Sequence, residues 1–188
     1  MSCVSEQAIT ALTFAEFLAW EERQPERHEY VGGRAYVMSG GTERHSLMAG
    51  HLAALLTPAA RAQGCRTFRA DRRLRVQSGD VYYPDVMVVC GKAADVQYEA
   101  DATLVIEVLS PSTRAQDRRE KLRQYGTLPS ISAYLVVEPD VRRVEVAQWN
   151  AVGEIVWTTL GPGDQFTTPY GVWDLDAIYD QVDADATT

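Results

Sequence analysis

Two carboxylates lie inside the two most apolar runs of the chain. Asp85 follows Pro84 in the run YYPDVMVVC, and Glu107 lies within TLVIEVLS. Each run continues without polar alternation, which predicts a strand buried on both faces. An ionised carboxylate inside such a strand costs several kcal/mol unless a charge or hydrogen bonds compensate it. A divalent cation would compensate this pair, because Mg²⁺ and Mn²⁺ bind carboxylate oxygens. The alternatives are that Asp85 only caps a turn after Pro84 and that Glu107 pairs with an arginine.

A polar helix follows the second run and carries a candidate catalytic cation. It is predicted to end at Gly126. Asp117, Lys121 and Tyr125 are spaced i, i+4 and i+8, so they fall on one helical face. If that face looks toward Glu107, Lys121 can orient an attacking water or stabilise a charged transition state. The same spacing also fits an ordinary exposed ion pair, which contributes only about 0.3–0.5 kcal/mol.

The elements before these runs are predicted to be a helix, a β-hairpin and a second helix. Thr13 begins the amphipathic helix FAEFLAWEER with the spacing of a capping box. The run HEYVGGRAYVMS indicates a hairpin around its two glycines, and Glu29 lies in the first strand. The second helix is predicted from about residue 43 to residue 63, and Pro58 should kink it or split it in two.

The remaining pattern predicts a mixed sheet. A third apolar run, SAYLVVEP, follows the polar helix, and this strand–helix–strand order implies some parallel pairing. Two more strands, RRVEVAQW and EIVWTTL, precede a short helix in GVWDLDAIYD. We predict one mixed α/β domain over residues 1–188, with a central mixed sheet flanked by helices. The ends, 1–10 and 181–188, are expected to be flexible.

Bulk composition is that of a globular protein of 188 residues. It contains no apolar run of about 18 residues, so no membrane span is expected. Its N-terminus lacks the basic and apolar regions of a secretory signal. Cys3, Cys65 and Cys90 are an odd number at wide spacings, which argues against a disulfide framework and against a cysteine-based zinc site. A reducing, cytoplasmic location is the natural interpretation.

The formal net charge of −8 argues against nucleic-acid binding, but the cations are clustered. Eleven of the 18 lysines and arginines lie within 61–75 and 114–123. A local basic surface on an acidic protein can still bind phosphate, although solvated faces would give the same clusters. The candidates for phosphate contacts are Arg72, Arg73, Arg75, Arg114 and Arg118.

The motifs and their order resemble the Uma-type putative restriction endonucleases, a bacterial family in the PD-(D/E)XK nuclease superfamily. The matching pieces run from Thr13 to about Tyr179. They are TFAEFLAWEE, HEYVGGRAYVMS, GTERH, YYPDVMVV, LVIEVLSPST, DRREKLRQYG and AYLVVEPD. The resemblance implies a restriction-endonuclease-like core and a Mg²⁺- or Mn²⁺-dependent endonuclease that acts on DNA.

The resemblance also assigns metal ligands. Asp85, Glu107 and the backbone carbonyl of Val108 would bind the cation. Glu29 matches an additional N-terminal acid of the family, which could hold a metal or its water. One or two such ions would activate a water and stabilise the charge that develops during phosphodiester hydrolysis.

The chain departs from the superfamily pattern at the catalytic lysine. The usual lysine lies two residues after the glutamate, but here that residue is Leu109. The resemblance implies that the lysine is displaced onto the following helix as Lys121, with Asp117 and Tyr125 holding it in position.

The histidines and serines give weaker signals. His45 matches the GTERH motif and could contact substrate or Glu29. Ser110 is a second candidate for a supporting residue of the site. Ser110 has no GxSxG context, so a serine nucleophile is not expected. No HxH or HExxH spacing supports a zinc or iron site based on histidine.

Two alternative functions stay open. A non-catalytic nucleic-acid-binding or accessory module would explain Leu109 and the acidic net charge. A metal-free glycosidase would need one neutral and one ionised carboxyl beside a sugar cleft, and no aromatic platform near either strand supports it. For a nuclease that cuts both DNA strands, a homodimer is the simple way to supply two active sites. No organic cofactor is expected.

Overall fold

Three β-sheets and four α-helices make up the part of the chain that the structure, a computed structural model, describes: residues 11–38, 40–93, 95–110, 120–150 and 152–185. The helices are α1 (Phe14–Glu21), α2 (Glu43–Ala62), α3 (Leu122–Tyr125) and α4 (Leu175–Asp185). The strands are β1 (His28–Val31), β2 (Arg34–Val37), β3 (Cys65–Arg69), β4 (Arg73–Arg75), β5 (Val81–Tyr82), β6 (Val86–Cys90), β7 (Tyr98–Glu99), β8 (Ala102–Val108), β9 (Ala133–Glu138), β10 (Arg143–Trp149), β11 (Ile155–Leu160), β12 (Gln165–Thr168) and β13 (Gly171–Asp174).

The largest sheet has six strands in the order β11-β10-β9-β8-β6-β3. β8 and β9 are parallel, whereas the other neighbouring pairs are antiparallel. The predicted parallel pairing is therefore confirmed. On one face, side chains such as Val86 and Ile106 pack in a core with Leu52 of α2 and Ile178 of α4. These branched, unalternating strands are buried on both faces, as their sequence predicts.

A second sheet has five strands in the order β2-β1-β5-β4-β7. β1 and β2 form the predicted hairpin, and its turn requires glycine because Gly32 and Gly33 have φ of 56° and 79°. α1 covers this sheet, with Phe17 stacked on Tyr30 at 4.8 Å between ring centroids. The chain passes from β5 in this sheet to β6 in the larger sheet, so Asp85 lies where the two sheets meet.

Two predictions for the helices need correction. α2 is one helix that continues past Pro58, so of the two predicted effects of this proline the split is wrong, and the kink stays a prediction. Proline has no N–H to donate to the carbonyl one turn earlier. Because Pro58 lies on the exposed side of α2, water can bond to that carbonyl instead. The closing segment divides into strand β13 and helix α4, and α4 continues through residues 181–185, part of the predicted flexible end. No helix in the described ranges is long and apolar enough to span a membrane.

The prediction that the cysteines form no disulfide is wrong. Cys65 and Cys90 are directly paired residues of the antiparallel strands β3 and β6, and they form a disulfide. Their separation of 25 residues gave no signal in the sequence, because the pairing depends on the register of the two strands. The cytoplasmic location inferred from the cysteines stays a prediction.

The disulfide should stabilise the fold by constraining the unfolded chain. We expect Cys90→Ser to lower the free energy of unfolding by about 2–4 kcal/mol without reductant, and the difference should shrink when reductant is added to both proteins. Chemical denaturation would measure it. Thiol titration of the unfolded wild type should detect one free cysteine without reductant, and a count of three would contradict the assignment.

Candidate active site

Glu107 lies at the centre of a buried polar cluster. Glu107 is the sixth residue of β8 and is only 3% exposed. Its Oε1 accepts a hydrogen bond of 2.7 Å from the Tyr125 hydroxyl of α3 and lies 3.2 Å from Lys121 Nζ. Val105 and Leu109 share the face of Glu107 and pack in the apolar core around Tyr125. The carboxylate is therefore compensated by groups from the helix that follows it.

Lys121 also contacts Glu29 from the N-terminal hairpin. Its Nζ lies 3.0 Å from Glu29 Oε1, so the ammonium bridges two carboxylates. Lys121 and Glu29 are 5% and 8% exposed, which makes this a buried ion-pair network rather than a surface pair. The ammonium also lies 5.8 Å from the ring centroid of Tyr82, within the range of a cation–π contact. The hairpin, β8 and α3 thus meet at one side chain.

Asp85 lies next to Glu107 on the neighbouring strand. Val86 pairs with Ile106, so one further step along both strands places Asp85 opposite Glu107. Asp85 Oδ2 accepts a hydrogen bond of 2.8 Å from the backbone N–H of Val108 and lies 3.1 Å from His45 Nε2. Asp85, the residue just before β6, and Glu107 of β8 are therefore neighbours across the two adjacent strands.

The start of α2 positions His45. The Thr42 hydroxyl caps the helix by accepting from the His45 N–H. Gly41 leaves room for the imidazole, since a Cβ at this residue would lie 2.5 Å from His45 Nδ1. The ring reaches Asp85, a partner that the sequence analysis did not name, and the predicted contact with substrate or Glu29 stays a prediction.

Buried tyrosines surround the Lys121 ammonium. The ring of Tyr125 makes edge contacts with Tyr82 and Tyr134 at 5.6 and 5.3 Å between centroids. Burial raises the pKa of the Tyr125 hydroxyl well above its usual 10, and the Glu107 carboxylate raises it further. Tyr125 is therefore a protonated hydrogen-bond donor to Glu107 at neutral pH. Burial also raises the Tyr82 pKa.

Asp80 ties together the segments that carry the site. Its Oδ1 accepts from the N–H of Gly32 in the hairpin turn at 2.8 Å. Its Oδ2 accepts from Ser78 at 2.9 Å and from Gln124 of α3 at 3.5 Å. The hairpin that holds Glu29 and the helix next to Lys121 are thus connected through one carboxylate.

The carboxylates of the cluster supply oxygens of the kind that bind divalent cations. Lys121 Nζ contacts two of them, Glu29 and Glu107, and Asp85 stands opposite Glu107. Within the described ranges, no group of three or more His, Cys, Asp or Glu is arranged to hold a metal. Lys121 lies between two of the carboxylates, and Asp85 bonds to His45. Asp85 and Glu107 are the residues that could hold Mg²⁺, because this ion needs only one or two protein carboxylates besides water and phosphate oxygens.

For several other predicted site residues the structure gives less information about the predicted role. Val108 contacts Asp85 through its N–H, and its role as a carbonyl ligand stays a prediction. Ser110 is half-buried two residues beyond β8. Glu120 and Lys121 are π-helical, so the i, i+4 geometry of a regular helix does not apply at Lys121. Asp117, Arg114 and Arg118 lie outside the described residues.

The predicted phosphate-binding arginines differ in their surroundings. Arg72 donates from its three guanidinium nitrogens to the buried Glu99 carboxylate and to nearby backbone carbonyls, an arrangement that does not favour a phosphate contact. Arg75 packs on the ring of Phe14 at 4.1 Å. Arg73 donates to the Tyr83 hydroxyl at 2.6 Å and keeps part of its surface exposed.

A second polar cluster near Asp85 was missed from the sequence. Buried Glu21 of α1 accepts from the Tyr83 hydroxyl at 3.0 Å and contacts the His28 ring at 3.0 Å. Burial and the Glu21 carboxylate together raise the pKa of Tyr83 to about 12. The guanidinium groups of Arg27 and Arg73 lie 5.5 and 5.8 Å from the Tyr83 ring centroid. The tyrosine next to Pro84 in YYPD was the available signal.

Comparisons with known proteins agree with the fold described above. A solved structure of a putative nuclease of DUF820 from Anabaena variabilis matches with a TM-score of 0.73, covering 91% of this chain and 99% of that one. At 16% identity this match concerns the fold alone, and it confirms the predicted restriction-endonuclease-like class.

Residues 14–173 match the model of the Uma2 family, described as putative restriction endonuclease, and the chain belongs to that family. Two uncharacterized proteins of Synechocystis sp. are relatives. One, slr1290, is 35% identical over 148 residues, 77% of each chain. The other, sll1609, is 32% identical over 151 residues, 78% of this chain and 84% of its own.

The buried hydroxyl of Tyr125 predicts a loss of stability in alkali. Because its folded pKa is above the unfolded value of about 10, its contribution is fully present below pH 10 and is lost as the pH rises through the folded pKa. Tyr125→Phe should therefore lose less stability above pH 10 than the wild type. At neutral pH it should be less stable by about 1–3 kcal/mol, because Glu107 loses a donor.

Denaturant unfolding measured across this pH range would test the prediction. Tyr36→Phe, which changes a half-buried tyrosine of β2, is the matched control and should follow the wild type. If Tyr125→Phe and the wild type lost stability in parallel above pH 10, the assignment of the buried hydroxyl would be wrong.

Proposed function

We propose that this protein is a metal-dependent endonuclease that hydrolyses phosphodiester bonds of DNA. The observation that carries the proposal is the buried cluster of three carboxylates and one lysine, built from two adjacent strands, a hairpin and a helix. Membership of the Uma2 family supports a nuclease. Asp85 and Glu107 supply carboxylate oxygens, the ligands that Mg²⁺ and Mn²⁺ prefer.

Each side chain has a role in this proposal. Asp85 and Glu107 would hold Mg²⁺ or Mn²⁺, with the Val108 carbonyl as a further ligand and Glu29 holding a second ion or a bound water. The metal supplies a water of lowered pKa and stabilises negative charge on the phosphate. Lys121, released from one of its carboxylates, would donate to the attacking water or to a phosphate oxygen.

The remaining polar groups would position the two proposed metal-binding carboxylates. Tyr125 fixes the Glu107 carboxylate by donating to Oε1. His45 and the Val108 N–H orient the Asp85 carboxylate through Oδ2, which leaves its other oxygen for a ligand. Such supporting hydrogen bonds matter for metal sites because they set the direction of the ligand lone pairs.

Arg27 and Arg73 are the best-placed candidates for a DNA phosphate. Both guanidinium groups approach Tyr83, two residues before Asp85, and neither forms an ion pair with the described residues. Both oxygens of the nearby Glu21 already accept hydrogen bonds from His28 and Tyr83. Two neighbouring cations without a partner anion would attract a backbone phosphate.

A non-catalytic nucleic-acid-binding or accessory module is the second candidate. The observation that favours it is the position of Lys121, which compensates Glu29 and Glu107 without a metal. In that case the cluster would serve stability and the chain would bind nucleic acid without cleaving it. Homodimerisation, which would supply two active sites for two strands, is also part of the proposal.

Plasmid nicking separates the two candidates. We expect the wild type to nick DNA with Mg²⁺ or Mn²⁺ and to stop when the metal is chelated. Asp85→Asn and Glu107→Gln should lower the cleavage rate by at least about 100-fold, because each removes a charged metal ligand. Asp176→Asn is the matched control. It makes the same change at a carboxylate of α4 that pairs with Arg142, and this variant should cleave DNA normally.

Lys121→Ala completes this experiment. It should lose cleavage while its affinity for DNA and metal is largely kept, because its proposed role concerns the transition state. Calorimetric metal titration and DNA binding of the same variants give the second readout. DNA binding without cleavage by the wild type would favour the module, and full activity in Asp85→Asn would refute the metal assignment.

The Arg27–Arg73 pair makes a separate prediction about DNA binding. Changing both to Gln should weaken binding at low salt and reduce the slope of log K against log salt by about 2, because each phosphate contact contributes about 1. The measurement is fluorescence anisotropy of labelled DNA at several salt concentrations. Lys92→Gln removes an exposed cation after the far end of β6 and should leave the slope unchanged; an unchanged slope in the double variant would exclude these arginines.

A further inference from the structure

β11 is an edge strand that the described residues leave exposed on both faces. It pairs with β10 along its full length, and no strand of the described chain pairs with its other side. Ile155, Val156 and Trp157 are 47%, 51% and 38% exposed, although successive side chains point to opposite faces. β10, its neighbour, is mostly buried. The protein therefore presents an apolar strand with a free row of backbone N–H and C=O groups.

This edge lacks the features that normally prevent association. Natural edge strands are protected by charged residues, proline, bulges or a covering helix. β3, at the other edge of the same sheet, carries Arg66 and Arg69 and packs beside α2, and β2 begins with Arg34. β11 has the sequence IVWTTL, with no charge and no proline, and its pairing with β10 contains no bulge.

We propose that β11 pairs with β11 of a second copy of this chain, antiparallel across a two-fold axis. The axis is perpendicular to the sheet, so the two six-stranded sheets join into one continuous sheet. Main-chain hydrogen bonds supply the pairing, and the exposed apolar side chains of the two strands pack beside one another on both faces. This inference rests on the edge strand and does not depend on the nuclease reaction.

Charge explains why the partner is a second copy. Each chain has a formal net charge of −8, so two copies can approach only where no like charges face each other. Glu154, the residue just before β11, is the carboxylate that adjoins the strand in the sequence. In a two-fold register centred on Val156, Trp157 or Thr158, Glu154 faces Thr158, Leu160 or Pro162, all uncharged. The uncharged strand is thus compatible with itself in each of these registers.

The contact should be weak enough to depend on concentration. A stable interface buries roughly 800 Å² on each partner, more than one edge of a six-residue strand supplies alone. We therefore expect a reversible dimer with a Kd in about the micromolar range. Sedimentation velocity of the full chain over a range of concentrations would measure it.

Val156→Lys is the sharpest variant for this test. It places a cation on the edge strand and should raise the Kd of the dimer by more than about tenfold, because an ammonium must then be desolvated between two apolar strands. The change lowers the net negative charge of the chain, so a loss of dimer could not come from increased overall repulsion. Val172→Lys, at a valine of β13 that is 68% exposed, is the matched control and should dimerise normally.

Three results would overturn the proposal: a wild type that stays monomeric at high concentration, a Val156→Lys variant that dimerises normally, or a Val172→Lys variant that loses the dimer equally. Hydrogen exchange gives an independent readout on the unmodified protein. Amides of β11 should become less protected on dilution, whereas amides of β8 should not change. Concentration-independent exchange in β11 would also contradict the pairing.

Discussion

The ammonium of Lys121 between the carboxylates of Glu29 and Glu107 is the interaction on which the arrangement of the fold depends. Glu29 and Glu107 are 78 positions apart in the chain and belong to different sheets, yet both contact one side chain. A buried carboxylate without compensation costs several kcal/mol, so neither sheet can move away from α3 without a large loss. The hairpin, the central strand and the short helix are therefore positioned by the same ion-pair network, and Asp80 reinforces their connection.

The sequence predicts this network only in part, and the limits have physical causes. Asp85 and Glu107 stand out because carboxylates are rare in runs that are buried on both faces. Lys121 and Tyr125 could be assigned to one helix, but the π-helical turn at Lys121 could not be predicted from a spacing rule. The contact of His45 with Asp85 and the Cys65–Cys90 disulfide depend on how distant elements pack. Local patterns contain no information on such contacts.

The same network relates stability to the proposed chemistry. Lys121 and a divalent cation are alternative ways to neutralise these carboxylates, and both are favourable because the site is buried. A metal ion bound beside Glu107 would weaken the electrostatic attraction between that carboxylate and the Lys121 ammonium. Lys121 would then be attracted chiefly by Glu29 and by the phosphate of a substrate. A lysine on a separate helix can make this change more readily than one on the strand, since its backbone is not part of the sheet.

Pairing through β11 would constrain how two such sites act on DNA. Glu107 lies on β8, three strands from the edge, so two copies place their sites seven inter-strand steps apart, or roughly 34 Å at about 4.8 Å per step. A two-fold axis perpendicular to the sheet puts both sites on the same face. The separation is about one turn of B-DNA, so one straight duplex could meet both sites on the same side. Such a dimer would favour two nicks about one turn apart over a double-strand cut at one position.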